Sequence, residues 1–250
     1  IGTIIAALGD SITEGYLGRE FWRDHLELTS EAFPADVVSQ DGRNYPQYSP
    51  TTSVHRPSVN CLASWMPRLN DLLAERWSSP VFIANEGVGG ITTAGYRTMM
   101  KDDPGWQARM RRLKPLVWLI HLGVNDERAK MPASAVAAHL NAMIDTLIED
   151  YGAAPARVVI ARPSYDYEPG AADYLSAYAR AIDRIIDERG LRPGPDFFSV
   201  YARDKLRYYG EDPVHPNEEG MELMAKLWAE ALPAGPWPPV QGTASVLMVE

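Results

Sequence analysis

Cysteine is nearly absent: Cys61 is the only one in 250 residues. No disulfide can form within the chain, and cysteine usage does not assign a compartment. A basic surplus is also lacking. The chain has 24 Lys and Arg against 33 Asp and Glu, a net charge of -9, which disfavours nucleic acid and anionic membrane surfaces as partners. No uninterrupted apolar run is long enough to span a bilayer. The first residues, from Ile1, read as a strand and not as a signal peptide, so a soluble protein is expected, cytoplasmic or exported after processing. Nucleotide-binding fingerprints fail as well. Gly87-Val88-Gly89-Gly90 is followed by Thr92 where the dinucleotide pattern needs its third glycine, and no Gly-Lys-Ser/Thr is present. The chain shows no repeat, coiled coil or low-complexity domain. Hydrophobic residues make up 46% of it, enough to bury one core. The expected layout is one domain over 1–232, with a proline-rich tail over 233–250.

What is present is an alternation of short apolar runs and helical periodicities. Thr3 to Leu8, Val81 to Ala84, Leu116 to Leu122, Arg157 to Ala161 and Phe197 to Val200 read as strands. Helices are predicted near Leu62 to Trp77, Trp106 to Leu113, Ala133 to Tyr151, Ala171 to Arg189 and Asn217 to Ala231. Within Ala133 to Tyr151, Val136, Leu140, Ile144, Leu147 and Ile148 recur at helical spacing. Strands alternating with helices predict a parallel sheet covered on both faces.

Three of the apolar runs stop at residues that suit chemistry. The first runs into Gly9-Asp10-Ser11, the second into Asn85 to Gly90, and the third into Gly123-Val124-Asn125-Asp126. Ligands bind at the C-terminal ends of parallel strands. A serine there is a nucleophile if a base takes its proton and donors hold the oxyanion. Glycines let backbone N–H groups approach a substrate, and an Asn amide can donate to the same oxyanion. The base candidate lies in Asp212-Pro213-Val214-His215-Pro216, where a tight turn can bring the carboxylate to the imidazole. Of the other histidines, His121 ends an apolar strand and reads as a core group, and His139 as part of a helix surface. Taken singly, each motif also fits a capping residue or an ordinary turn.

Together and in this order, the motifs resemble those of the SGNH (GDSL-type) hydrolase family of serine esterases and lipases. The resemblance implies a three-layer α/β/α fold with a central parallel five-stranded sheet and flavodoxin-like winding. It implies Ser11 as nucleophile, His215 as base and Asp212 as the acid that orients it. The oxyanion hole would be the Ser11 and Gly90 backbone N–H groups and the Asn125 side chain. Gly89 departs from the family, which often has Ser there. No cofactor and no metal are expected. Asp10, Asp126 and Asp212 suggest metal-assisted hydrolysis as an alternative, but no His/Asp ligand cluster accompanies them.

The long segment from Tyr16 to Asn60 leaves the strand end that carries Ser11, so it is expected at the active-site rim. Its Tyr45 and Tyr48 are candidate substrate-binding residues. Tyr208, in a group with Tyr201 and Tyr209 ahead of the Asp212 turn, is a candidate for the opposite wall. The expected activity is removal of a small acyl group, such as acetyl, from a carbohydrate or similar small ester. Two alternatives stand beside it: a lysophospholipase or thioesterase with a longer acyl pocket, and a non-catalytic glycan-binding protein on the same fold.

Overall fold

The computed structural model describes residues 2–16, 64–210 and 212–237. Five parallel strands form one sheet: β1 (Thr3–Gly9), β2 (Val81–Gly87), β3 (Val117–His121), β4 (Val158–Arg162) and β5 (Arg192–Asp196), in the order β2-β1-β3-β4-β5. This is the predicted doubly wound sheet. The chain reverses direction across it at β1, and β1 and β3 lie side by side there. Their carboxyl ends form the crevice where such folds bind ligands.

The period-two alternation of side chains divides the core in two. Ala6 and Leu8 of β1, Trp118 and Ile120 of β3, and Val158 and Ile160 of β4 face one layer of helices. That layer holds α3 (Thr93–Asp102), α4 (Pro104–Leu113), α6 (Ala133–Tyr151) and α7 (Ala171–Arg189). Ile5, Ala7, Val117, Leu119, Val159 and Ala161 face the other way. There they meet α2 (Trp65–Trp77), α8 (Phe197–Tyr201) and α10 (Glu218–Ala231). Short helices α1 (Ser11–Glu14), α5 (Val124–Arg128) and α9 (Lys205–Tyr208) and a 3-10 turn at Pro155–Arg157 complete the described elements. None of the described helices is long and apolar enough to cross a membrane.

One predicted strand is corrected. Phe197 to Val200 lies in α8, and the fifth strand is the preceding Arg192–Asp196. Asp196 accepts a hydrogen bond from the Ser199 N–H and so opens a helix where aromatic residues suggest a strand. Pro193 and Pro195 hide β5 from a propensity reading, yet an edge strand tolerates them because one side of it has no ladder to complete. Beyond α10, the Trp77 indole N–H donates to the Pro233 carbonyl at 2.9 Å, and Trp77 packs edge-on against Trp237.

Trp228 and Trp65 stack between α10 and α2 with ring centroids 5.8 Å apart, both fully buried. Trp228→Ala should therefore cost about 3–5 kcal/mol, with a clear fall in Tm by calorimetry. A Tm within about 2 °C of the parent protein would show that this contact does not hold α10 on the sheet.

Candidate active site

Ser11 is the first residue of α1, directly beyond the end of β1. Asp10 caps this short helix, its Oδ1 accepting from the Ile12 N–H at 3.0 Å. The Ser11 Oγ lies 2.9 Å from His215 Nε2, across 204 residues of sequence. Behind the imidazole, Nδ1 is 3.0 Å from Asp212 Oδ2, while Asp212 Oδ1 accepts from the Val214 and His215 N–H groups at 2.9 and 3.1 Å. Burial alone would push the Asp212 pKa up. The His215 hydrogen bond and charge and the two N–H donors outweigh it and bring the pKa down to about 2. Asp212 therefore stays ionised at neutral pH and keeps the proton of a neutral imidazole on Nδ1, so Nε2 faces the serine as an acceptor.

The turn that carries His215 is pinned on several sides. The Pro213 carbonyl accepts from the Tyr167 N–H, and the Asn217 N–H donates to the Tyr208 carbonyl. Asn217 then caps α10 through its Oδ1 to the Gly220 N–H at 3.0 Å. The Tyr16 ring meets the imidazole edge-on, centroids 4.4 Å apart.

Opposite Ser11, His215 and Asp212, the loop after β2 and the start of α5 meet. Gly90 has φ +77, a left-handed conformation that favours glycine, and is exposed. Among the described residues no acceptor takes its N–H. The Asn125 side-chain amide donates to the Ile91 carbonyl at 3.0 Å through one of its two N–H bonds, leaving the other for the cleft that it lines. Asp126, fully buried, accepts from the Thr93 N–H at 3.0 and 3.1 Å and from its hydroxyl. Asn85 ties the same loop to α1, its amide donating to the Thr13 carbonyl and its Oδ1 accepting from the Gly87 N–H, each at 2.9 Å.

Ser11, Gly90, Asn125 and His215 thus line one cleft of about 200 Å³, together with Tyr16, Val214 and Arg128. A hydroxyl held against an imidazole, with N–H donors across the gap, can transfer an acyl group.

Other sequence expectations fall elsewhere. Tyr45 and Tyr48 lie outside the described residues. Tyr208 does not line the cleft: it is half-buried, packed on the Tyr201 ring at 5.9 Å and under the Arg207 guanidinium. Tyr201 and Tyr209 are core residues, their hydroxyls donating to the Gly220 and Tyr165 carbonyls. All three belong to the core that α10 covers on this side of the sheet. His121 is a core group as its setting predicts, with burial pushing its pKa down to about 3. His139 is not merely surface: its Nδ1 lies 3.2 Å from the Thr93 Oγ1 that also serves Asp126.

Sequence reasoning missed the Asp126–Thr93 clamp, Tyr16 and Arg128. The adjacency of Asp126 to Asn125 was the available signal for the clamp, and the spacing from Asn125 to Arg128 for the cation.

The profile of the GDSL-like lipase/acylhydrolase family matches residues 7–223. The chain belongs to this family. No curated protein matches the sequence. Among solved structures, it is similar to a lipase/acylhydrolase from Enterococcus faecalis, at 17% identity and TM-score 0.60, covering 91% of this chain and 94% of that one. It is also similar to an acetylxylan esterase from Geobacillus stearothermophilus, at 15% identity and TM-score 0.61, covering 94% and 98%. An α/β hydrolase from the metagenome of Lake Arreo, Spain, aligns with TM-score 0.62 at 16% identity, covering 92% and 94%. At these identities the likeness is one of fold.

Asp10 generates a pH prediction. Its Oδ2 is buried and has no hydrogen-bond partner among the described residues. Burial, opposed by the Ile12 N–H and reinforced by Asp126 and Glu14, raises its pKa from 3.8 to about 7. Between those two values the folded state holds a proton that the unfolded state has lost. Stability therefore falls as pH rises through this window and levels off above it. Asp10→Asn keeps an acceptor for the cap and removes the charge. It should raise Tm at about pH 8 and change it little near pH 4, as read by thermal scans. The same Tm difference at both pH values would contradict a buried, proton-holding Asp10.

Proposed function

We propose that this family member is a carboxylic ester hydrolase that works through an acyl-enzyme on Ser11. The observation that carries the reading is the contact of Ser11 Oγ with His215 Nε2 at 2.9 Å, with Asp212 behind the ring. His215 Nε2 takes the hydroxyl proton as Ser11 attacks the ester carbonyl. Asp212 stabilises the imidazolium that forms. The oxyanion is received by the Ser11 and Gly90 N–H groups and the free N–H of Asn125, donors fixed before the charge develops. His215 then protonates the leaving alcohol and later takes a proton from the water that releases the acid.

The favoured substrate is a small acyl ester, acetyl on a carbohydrate or a similar alcohol. A cleft of about 200 Å³ suits a short acyl group. A protein described as an acetylxylan esterase shares this fold, so the fold accommodates such a substrate. A chain-length series of p-nitrophenyl esters tests this reading directly. Turnover should be highest for acetate and propionate and should fall for longer chains, whereas a preference for long acyl chains would favour the lysophospholipase or thioesterase reading.

Two substitutions test the roles. Ser11→Ala should abolish turnover with the fold retained, and near-normal rates in a folded variant would remove Ser11 from the chemistry. Asn125→Ala should lower kcat by about 10²–10³-fold with a much smaller change in KM, because the contact strengthens as charge builds on the oxygen. A loss confined to KM would make Asn125 a ground-state binding residue instead.

A further inference from the structure

Arg128 is the last residue of α5, three positions beyond Asn125, so the two side chains share a face of the helix. It lines the same cleft as Ser11 and His215 and is the one permanently charged side chain among its described lining residues. Its surroundings set it apart from the clamping arginines of this protein. Arg109 grips Glu86 through Nε at 2.9 Å and through Nη2, and Arg162 holds Asp183 through two bonds of 3.0 and 2.8 Å. The approach of Arg128 to Asp166 is through Nε at 3.6 Å, too far for a hydrogen bond. Among the described residues none of its guanidinium N–H groups has a hydrogen-bond acceptor, and the side chain is 46% exposed.

Asp166 acts as a fixed anchor for it. This carboxylate is fully buried, held by the Glu168 N–H at 2.8 Å, and its Oδ2 has no hydrogen-bond partner. It attracts the guanidinium without consuming the planar fork of donors that matches a carboxylate. The chain as a whole is strongly acidic, at -9, so an anionic substrate gains nothing from long-range steering and must be recognised by contact.

We propose that Arg128 makes the cleft selective for esters that carry a carboxylate beside the reacting carbonyl. This rests on the ester-hydrolase reading above. The carboxylate can sit on either half of the ester, and two pairs of probes separate the cases. Mono-p-nitrophenyl glutarate against p-nitrophenyl pentanoate places it on the acyl half. The anion m-acetoxybenzoate against phenyl acetate places it on the alcohol half.

In one pair, kcat/KM should favour the charged ester by about tenfold or more, and Arg128→Gln should collapse that ratio by about tenfold, with Arg128→Lys between. Binding of the product anions glutarate and m-hydroxybenzoate, followed by NMR titration, gives a readout independent of turnover. One of them should bind, and Arg128→Gln should weaken it by about tenfold. A ratio unchanged by Arg128→Gln in both pairs, or equal losses on charged and neutral esters, would overturn the proposal and leave Arg128 as a counter-ion for Asp166. Failure to turn over any ester while Arg128-dependent anion binding persists would refute the hydrolase reading and support the anion site. Absence of both turnover and Arg128-dependent binding would overturn both.

Discussion

The hydrogen bond between Ser11 and His215 is the constraint around which the other contacts are arranged. One partner stands at the end of β1, which is paired on both sides by β2 and β3 and is therefore fixed in height and direction. The other stands on a turn outside the described strands, tied at its end by a bridge between Tyr209 and Pro216. Its position comes from Asp212, which binds two backbone N–H groups and the imidazole at once, and from Asn217, which starts α10 immediately afterwards. α10 is in turn anchored by Trp228 against α2 on the same sheet face. Loss of that packing would move His215 without touching the site itself. Stability and chemistry are coupled in this way because a contact of about 3 Å tolerates little displacement.

The opposite wall has a similar logic with different chemistry. Three strand ends meet at this wall, and Val88, Leu122 and Val124 pack the segments beyond them into the core. Polar side chains perform the joining. Asn85 ties β2 to α1, Asn125 holds the Ile91 carbonyl, and Asp126 holds both polar groups of Thr93. Asp126 is buried with a raised pKa, burial acting first against the Thr93 hydrogen bonds, as is Asp10 beneath the serine. Both carboxylates are thus buried in the polar joints beneath Ser11 and beside Asn125, and burial works against their charge.

Much of this was legible in the residues. Strands of near-continuous apolar character and the helices at Ala133–Tyr151 and Ala171–Arg189 coincide with the structure, because periodicity over nineteen residues is a strong signal. Ser11, Asp212 and His215 stood in motifs whose spacing already implied a turn. What was not legible depended on partners distant in sequence. The strand at Arg192–Asp196 contains two prolines and is recognisable only as a neighbour of β4. Tyr201 and Tyr209 read as rim aromatics until α10 is laid over them. Arg128 ends α5 and Asp166 lies in the loop after β4, and neither alone suggests a cation at the cleft.

The central claim is that one serine, activated by one histidine, forms the covalent intermediate. Reaction with a fluorophosphonate followed by peptide mass spectrometry tests it most directly, since the probe bonds only to a serine that the site has made nucleophilic. A single adduct on the peptide containing Ser11, formed in the parent protein and strongly slowed in a folded His215→Ala variant, is the expected result. An adduct on another serine, or equally fast labelling of Ser11 without His215, would contradict the account.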